Sequence, residues 1–149
     1  MPATPVLGLS VHCAGNAWLW PYGYAADMYP YNIVEIVSFC IVSSLVLKNI
    51  WLKYTIQLFF QSVKKKLAKD AAGAMKQVNG NNFETMKAWT SGASKDWYRG
   101  VLGTRYSYTV ELGDNTKQNI KPSGKEFLAG IKVVFNKLIQ DSLVEMSLP

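Results

Sequence analysis

Apolar positions along this chain recur with two periods. From Thr104 to Leu112, "TRYSYTVEL", the alternation is strict: Tyr106, Tyr108, Val110 and Leu112 fall on one face, and Arg105, Ser107, Thr109 and Glu111 on the other. A period of two predicts a strand, with Glu111 near its C-terminal end. The run "VLGLSV", Val6 to Val11, lies between Pro5 and His12 and predicts a short buried strand with His12 just past its end. Helical spacing takes over twice. Leu67, Ala71, Ala74, Met75 and Val78 share one face of a helix from Ala68 to Val78, stopped by Asn79 and Gly80. The stretch from Ser123 to Met146 carries Phe127, Ile131, Val134, Phe135 and Leu138 at helical spacing, and Ser123 and Glu126 have the separation of a capping box. Strands mixed with helices in this way predict an α/β fold, in which sites gather at the carboxyl ends of strands. His12 and Glu111 both occupy such ends.

The stretch Asn32 to Gln61 breaks this pattern. It holds no glycine, alanine, aspartate or arginine, although the segments on either side are rich in them. A membrane-spanning helix needs about 20 mainly apolar residues. Ile33 to Leu47 comes close, with Glu35 inside it and Lys48 after it. A buried hydrophobic helix, a membrane anchor over residues 33–60, and an insert foreign to the domain are the three readings this composition admits.

A chain of 149 residues, 49% of them hydrophobic, suffices for one domain and is too short for two. The net charge of +6 is spread out except at Lys64 to Lys66. Aromatic residues are not interleaved with those lysines, which argues against a nucleic-acid partner. The two cysteines, Cys13 and Cys40, lack CxxC spacing, so they point to neither a zinc knuckle nor a redox pair, and they leave the redox compartment open. The N-terminal "MPATPVLGLSV" has no basic n-region, so no secretory signal is expected in it.

The only histidine, His12, opens "HCAGNAWLWPYGY". That stretch, followed by "TSGASKDWYRG" and then "RYSYTVELGD", resembles three motifs of the zinc metallocarboxypeptidases of the pancreatic carboxypeptidase A/B type, in the same order. The resemblance covers residues 6–27 and 65–145, the C-terminal portion of that family's catalytic domain, and passes over a hydrophobic insert at 29–62. It implies a partial mixed-sheet α/β domain with packed helices, zinc as cofactor, a peptide or protein substrate cleaved at its C-terminal residue, and an extracellular setting. By the same resemblance His12 corresponds to the third zinc ligand and Glu111 to the general acid/base. Asp96 and Trp97 match the family's pocket motif, and Lys95 stands at the base of the pocket for the substrate's terminal side chain. A lysine there favours a C-terminal Glu or Asp by charge complementarity; a lysine that reaches out to solvent instead would carry no such preference.

The departures are equally specific. The only histidine, His12, is followed three positions on by Gly15, so the family's His-x-x-Glu motif does not occur here, and one protein ligand does not hold a catalytic zinc. No tyrosine occurs between Tyr54 and Tyr98, Ala14 stands where a tyrosine is usual, and "GDNTKQNIKPSG" replaces a longer family pattern after "VEL". Three expectations follow: an incomplete metallocarboxypeptidase inactive by itself, a non-catalytic relative that binds peptides or a partner protein, and a small membrane-anchored protein.

Overall fold

A computed structural model describes residues 4–23, 46–87, 91–114 and 116–147, with residues 46–61 described in backbone only. Four strands, β1 (Leu7–Cys13), β2 (Ala17–Leu19), β3 (Glu84–Met86) and β4 (Tyr106–Leu112), form one sheet in the order β1-β4-β2-β3. β1 runs parallel to β4, β2 runs antiparallel to β4, and β2 and β3 are parallel. The sheet is therefore mixed, with β4 inside it and β1 on an edge. The described residues also form three helices: α1 (Val46–Asn79), the short α2 (Ser94–Gly100) and α3 (Ile120–Ser147), the last entered through a 3-10 turn at Lys117–Asn119.

The core forms where α1 and α3 meet one face of the sheet. Trp18, Tyr106, Tyr108 and Val110 from the strands pack on Leu67, Ala68, Ala71, Ala72 and Met75 of α1 and on Ile131 and Val134 of α3. Small residues set the closeness of the helices: a Cβ on Gly130 of α3 would lie 2.8 Å from the Met75 side chain and 3.2 Å from the Trp18 ring. Polar tips in this core find partners, as burial requires. The Trp18 indole N–H donates to Met75 Sδ at 2.8 Å, the Tyr108 hydroxyl to the Lys64 carbonyl at 3.1 Å, and the Tyr106 hydroxyl to Asp141 at 2.6 Å.

Several elements depart from what the periodicity predicts. β1 runs through Cys13, so His12 lies inside the strand and not after it; pairing with β4 extends the strand over exposed residues that apolarity alone would exclude. α1 begins far upstream of Ala68, taking in the second half of the atypical stretch. It ends where expected, with Gly80 at φ +80° and its N–H on the Lys76 carbonyl. α3 begins three residues before Ser123, so Ser123 and Glu126 are internal and buried and do not form a cap. The faces are trimmed as well: Val78 and Phe135 are exposed, and Ala72 and Gly130 are buried in their place. Finally, both faces of β4 are covered. Ser107 and Thr109, on the face the alternation marks as polar, are buried beneath α2, and the Ser107 hydroxyl donates to the Lys95 carbonyl at 2.7 Å.

Cys40 and most of the apolar run from Ile33 lie outside the described residues. Among the described residues no helix is long and apolar enough to cross a membrane.

Lys64 faces the inside of this packing. Burial first, and the charge of Arg99 second, pull its ammonium down from 10.5 to about 7. Between that value and 10.5 the unfolded chain holds a proton that the folded chain has lost, so the Lys64 contribution to stability rises with pH over that window. Below about pH 7 the amine is charged in both states and its desolvation is borne in full. Lys64→Met is therefore expected to stabilise the fold most near pH 6 and progressively less towards pH 9. Urea midpoints of both proteins at the two pH values test this; an unchanged gap would contradict it.

Candidate functional site

The parallel register of β1 and β4 places His12 directly opposite Glu111. Parallel strands end on the same side of the sheet, so the imidazole and the carboxylate emerge together at its carboxyl edge. Neither residue type would be fixed this way on a loop. The His12 ring is exposed, and its Nε2 lies 2.6 Å from the Ser10 hydroxyl, two residues back on the same strand face. With Nε2–H donating to Ser10, the Nδ1 lone pair remains for an electrophile or metal, the arrangement in which an outer partner orients a ligating imidazole.

The loop leaving β1 folds across the end of β4. Gly15 and Asn16 donate their N–H groups to the Leu112 carbonyl at 2.9 and 3.3 Å, and the Cys13–Ala14 peptide bond is cis. Gly15 lies against the half-buried Glu111: a Cβ there would come within 2.9 Å of the Glu111 Cβ. Only a residue without a side chain lets this loop lie so close to the carboxylate. Cys13 is an exposed free thiol.

α2 forms the floor. Lys95 is 1% exposed and its Nζ sits 3.9 Å from Asp96 Oδ1. It does not reach out to solvent. Burial lowers its pKa, and the carboxylates of Asp96 and Glu111 act against that lowering. The net direction is still down, so these two carboxylates do not fully replace the hydration the ammonium has lost. Asp96 serves a second purpose: its Oδ1 accepts the Tyr22 N–H at 2.6 Å and ties the "WPYGY" turn to α2. Arg99, one turn further on, donates to the carbonyls of Thr104 and Gly103, and Tyr22 interacts with its guanidinium.

Of the four residues singled out in the sequence, the structure thus sets His12 against Glu111 and brings Lys95 within electrostatic reach of Glu111, with Asp96 paired to Lys95. Ser10, Gly15 and Arg99 were not singled out. Ser10 was accessible in principle, since period-two spacing puts it on the face of His12; Gly15 and Arg99 act through tertiary contacts that no local pattern announces.

The donor set does not fit a catalytic zinc. The chain has one histidine, and among the described residues no group of three His, Cys, Asp or Glu side chains converges. A tetrahedral catalytic site needs three protein ligands.

The family described as zinc carboxypeptidase matches residues 3–132. Carboxypeptidase B of Astacus astacus is 26% identical over 140 residues, which is 86% of this chain and 37% of that protein. A protein named inactive metallocarboxypeptidase ECM14, from Ajellomyces dermatitidis, is 26% identical over 140 residues, 88% of this chain and 22% of its own length. Among solved structures, bovine thrombin-activatable fibrinolysis inhibitor in complex with tick carboxypeptidase inhibitor superposes with a TM-score of 0.59 at 19% identity, over 89% of this chain and 39% of that one. Carboxypeptidase A from Helicoverpa armigera gives 0.53 at 19% identity, over 86% of this chain and 28% of its own. The chain spans less than two fifths of the length of each of these proteins.

Proposed function

The chain belongs to the zinc carboxypeptidase family, and we propose that it constitutes the portion of a metallocarboxypeptidase catalytic domain that carries one metal ligand, His12, and the catalytic carboxylate, Glu111. The pairing of these two residues across β1 and β4 is the observation that carries this reading. A carboxylate held rigidly at a strand end can take a proton from water and return it to a leaving amine, and an imidazole held by Ser10 is oriented to bind metal. The substrate is a peptide or protein chain and the reaction removes its last residue, in an extracellular setting. The remaining zinc ligands are to come from outside this chain, which by itself is inactive.

Lys95 and Asp96 form the substrate-binding floor. A buried lysine at this position complements the charge of a carboxylate entering beside it. This supports a preference for peptides that end in Glu or Asp. In a longer form that supplies the missing ligands, peptides ending in Glu, Phe and Arg are expected to show kcat/KM highest for Glu by about tenfold or more, and Lys95→Met to reverse that order. Faster cleavage of the Phe or Arg peptide would exclude the acidic preference.

One finding favours a second reading, a non-catalytic protein that binds peptides or a partner: two matched relatives are named inactive metallocarboxypeptidases. A longer form that binds one zinc yet cleaves none of the three peptides would establish it.

A further inference from the structure

Ser123 and Glu126 are not a helix cap, and their burial calls for another account. Glu126 is 0% exposed. Its Oε1 accepts the Asn81 amide N–H at 2.7 Å, and its Oε2 has no partner. Among the described residues it makes no ion pair. A neutral amide does not offset the desolvation of a buried carboxylate, and a water molecule would supply hydrogen bonds without charge.

The surroundings are oxygens. Asn16 Oδ1 is likewise buried without a partner. It lies 3.4 Å from where a Cβ would stand on Gly113, and the buried Ser123 hydroxyl lies 3.5 Å from the same point. Glu126 follows Ser123 by one turn on the same face of α3. The Asn16 carbonyl is fixed by the Glu84 N–H at 2.8 Å, and the Asn79 amide holds the first turn of α3 at Pro122. An orphaned amide oxygen and a hydroxyl thus flank Gly113 at the end of β4, and a buried carboxylate with one orphaned oxygen stands one helical turn beyond that hydroxyl on α3.

We propose that this junction binds an alkali-metal cation through Glu126 Oε2, Asn16 Oδ1 and the Ser123 hydroxyl. Hard oxygen donors of the carboxylate, amide and hydroxyl types suit such an ion, and a single carboxylate balances a single positive charge. The site is independent of the zinc ligands. It adjoins Gly113, two residues past Glu111 and just beyond the end of β4, and through Asn16 it braces the Gly15 loop that lies on that carboxylate.

Gly113 offers a direct test. Its Cβ direction opens between the two oxygens at ordinary contact distance, so Gly113→Lys would place a tethered ammonium in the junction. Sodium-23 line widths and thermal midpoints would be measured in sodium chloride and in tetramethylammonium chloride at equal ionic strength. For the wild-type chain, the expected results are a broadened sodium line and a midpoint higher by about 3 °C in sodium. Glu126→Gln removes both effects, and Gly113→Lys has a midpoint independent of the salt. A sodium line and midpoint that do not differ between wild type and Glu126→Gln would overturn the site.

Discussion

Glu111→Gln, introduced into a zinc-loaded longer form of this protein, is expected to lower kcat by about 10²- to 10⁴-fold, the range associated with loss of a positioned general base, with zinc content and KM little changed. The amide keeps the size and the β4 backbone of the carboxylate, so the Gly15 loop retains its seat; only the ability to accept a proton is lost. His12→Ala should behave differently. Removing a direct ligand is expected to weaken zinc binding by more than the roughly 10- to 100-fold typical of outer-sphere changes, with activity falling in proportion to metal lost. Ser10→Ala should stay within that outer-sphere range. Zinc content after dialysis, measured beside kcat and KM for the three variants, separates the roles. Glu111→Gln with undiminished kcat would remove the carboxylate from the chemistry, and His12→Ala with full zinc would remove the histidine from the site.

Trp18→Ala should cost about 3–5 kcal/mol, in the range for deleting a large buried aromatic, against a total stability of about 5–15 kcal/mol for a typical domain. Trp18 is fully buried and meets the Tyr108 ring edge-on at 5.5 Å between centroids. Its N–H is occupied by Met75, and Gly130 is open to its ring. All three layers of the core therefore close on this one side chain, and truncation leaves a cavity that the helices cannot fill without sliding on the sheet. Loss of the near-ultraviolet circular dichroism signal and of a cooperative urea transition is the expected readout. Trp97→Ala is the control: Trp97 is 51% exposed, and its loss should change stability by no more than about 0.5 kcal/mol. Equal effects of the two substitutions would contradict the described core.

Much of this architecture is legible in the sequence because burial there follows periodicity. Tyr106, Tyr108 and Val110 announce β4, and Ile131 and Val134 announce the inner face of α3. Where backbone pairing or tertiary cover decides, the pattern misleads. His12 is in β1 because β4 supplies hydrogen bonds up to Cys13, although Val11, His12 and Cys13 are all exposed. Ser123 and Glu126 imitate a cap because spacing alone does not reveal that the preceding 3-10 turn at Lys117–Asn119 has already started the helix. The family was readable from motifs; the opposition of His12 and Glu111 across one rung of the sheet is a matter of register, which only the fold supplies. The burial of Lys95 depends on how the helix that begins with "SKDW" packs on β4, a tertiary contact that the motif itself does not announce.

Among the described residues β1 has β4 on one side and no strand on the other. A strand added to that open side would run about 4.8 Å away, and its residue level with His12 would flank the histidine as Glu111 does from β4. Closing the sheet and completing the coordination sphere would then be one event. Affinity for metal and affinity for the added polypeptide would be thermodynamically linked, each raising the other by the same factor, so that a chelator would loosen the assembly as well as strip its ion.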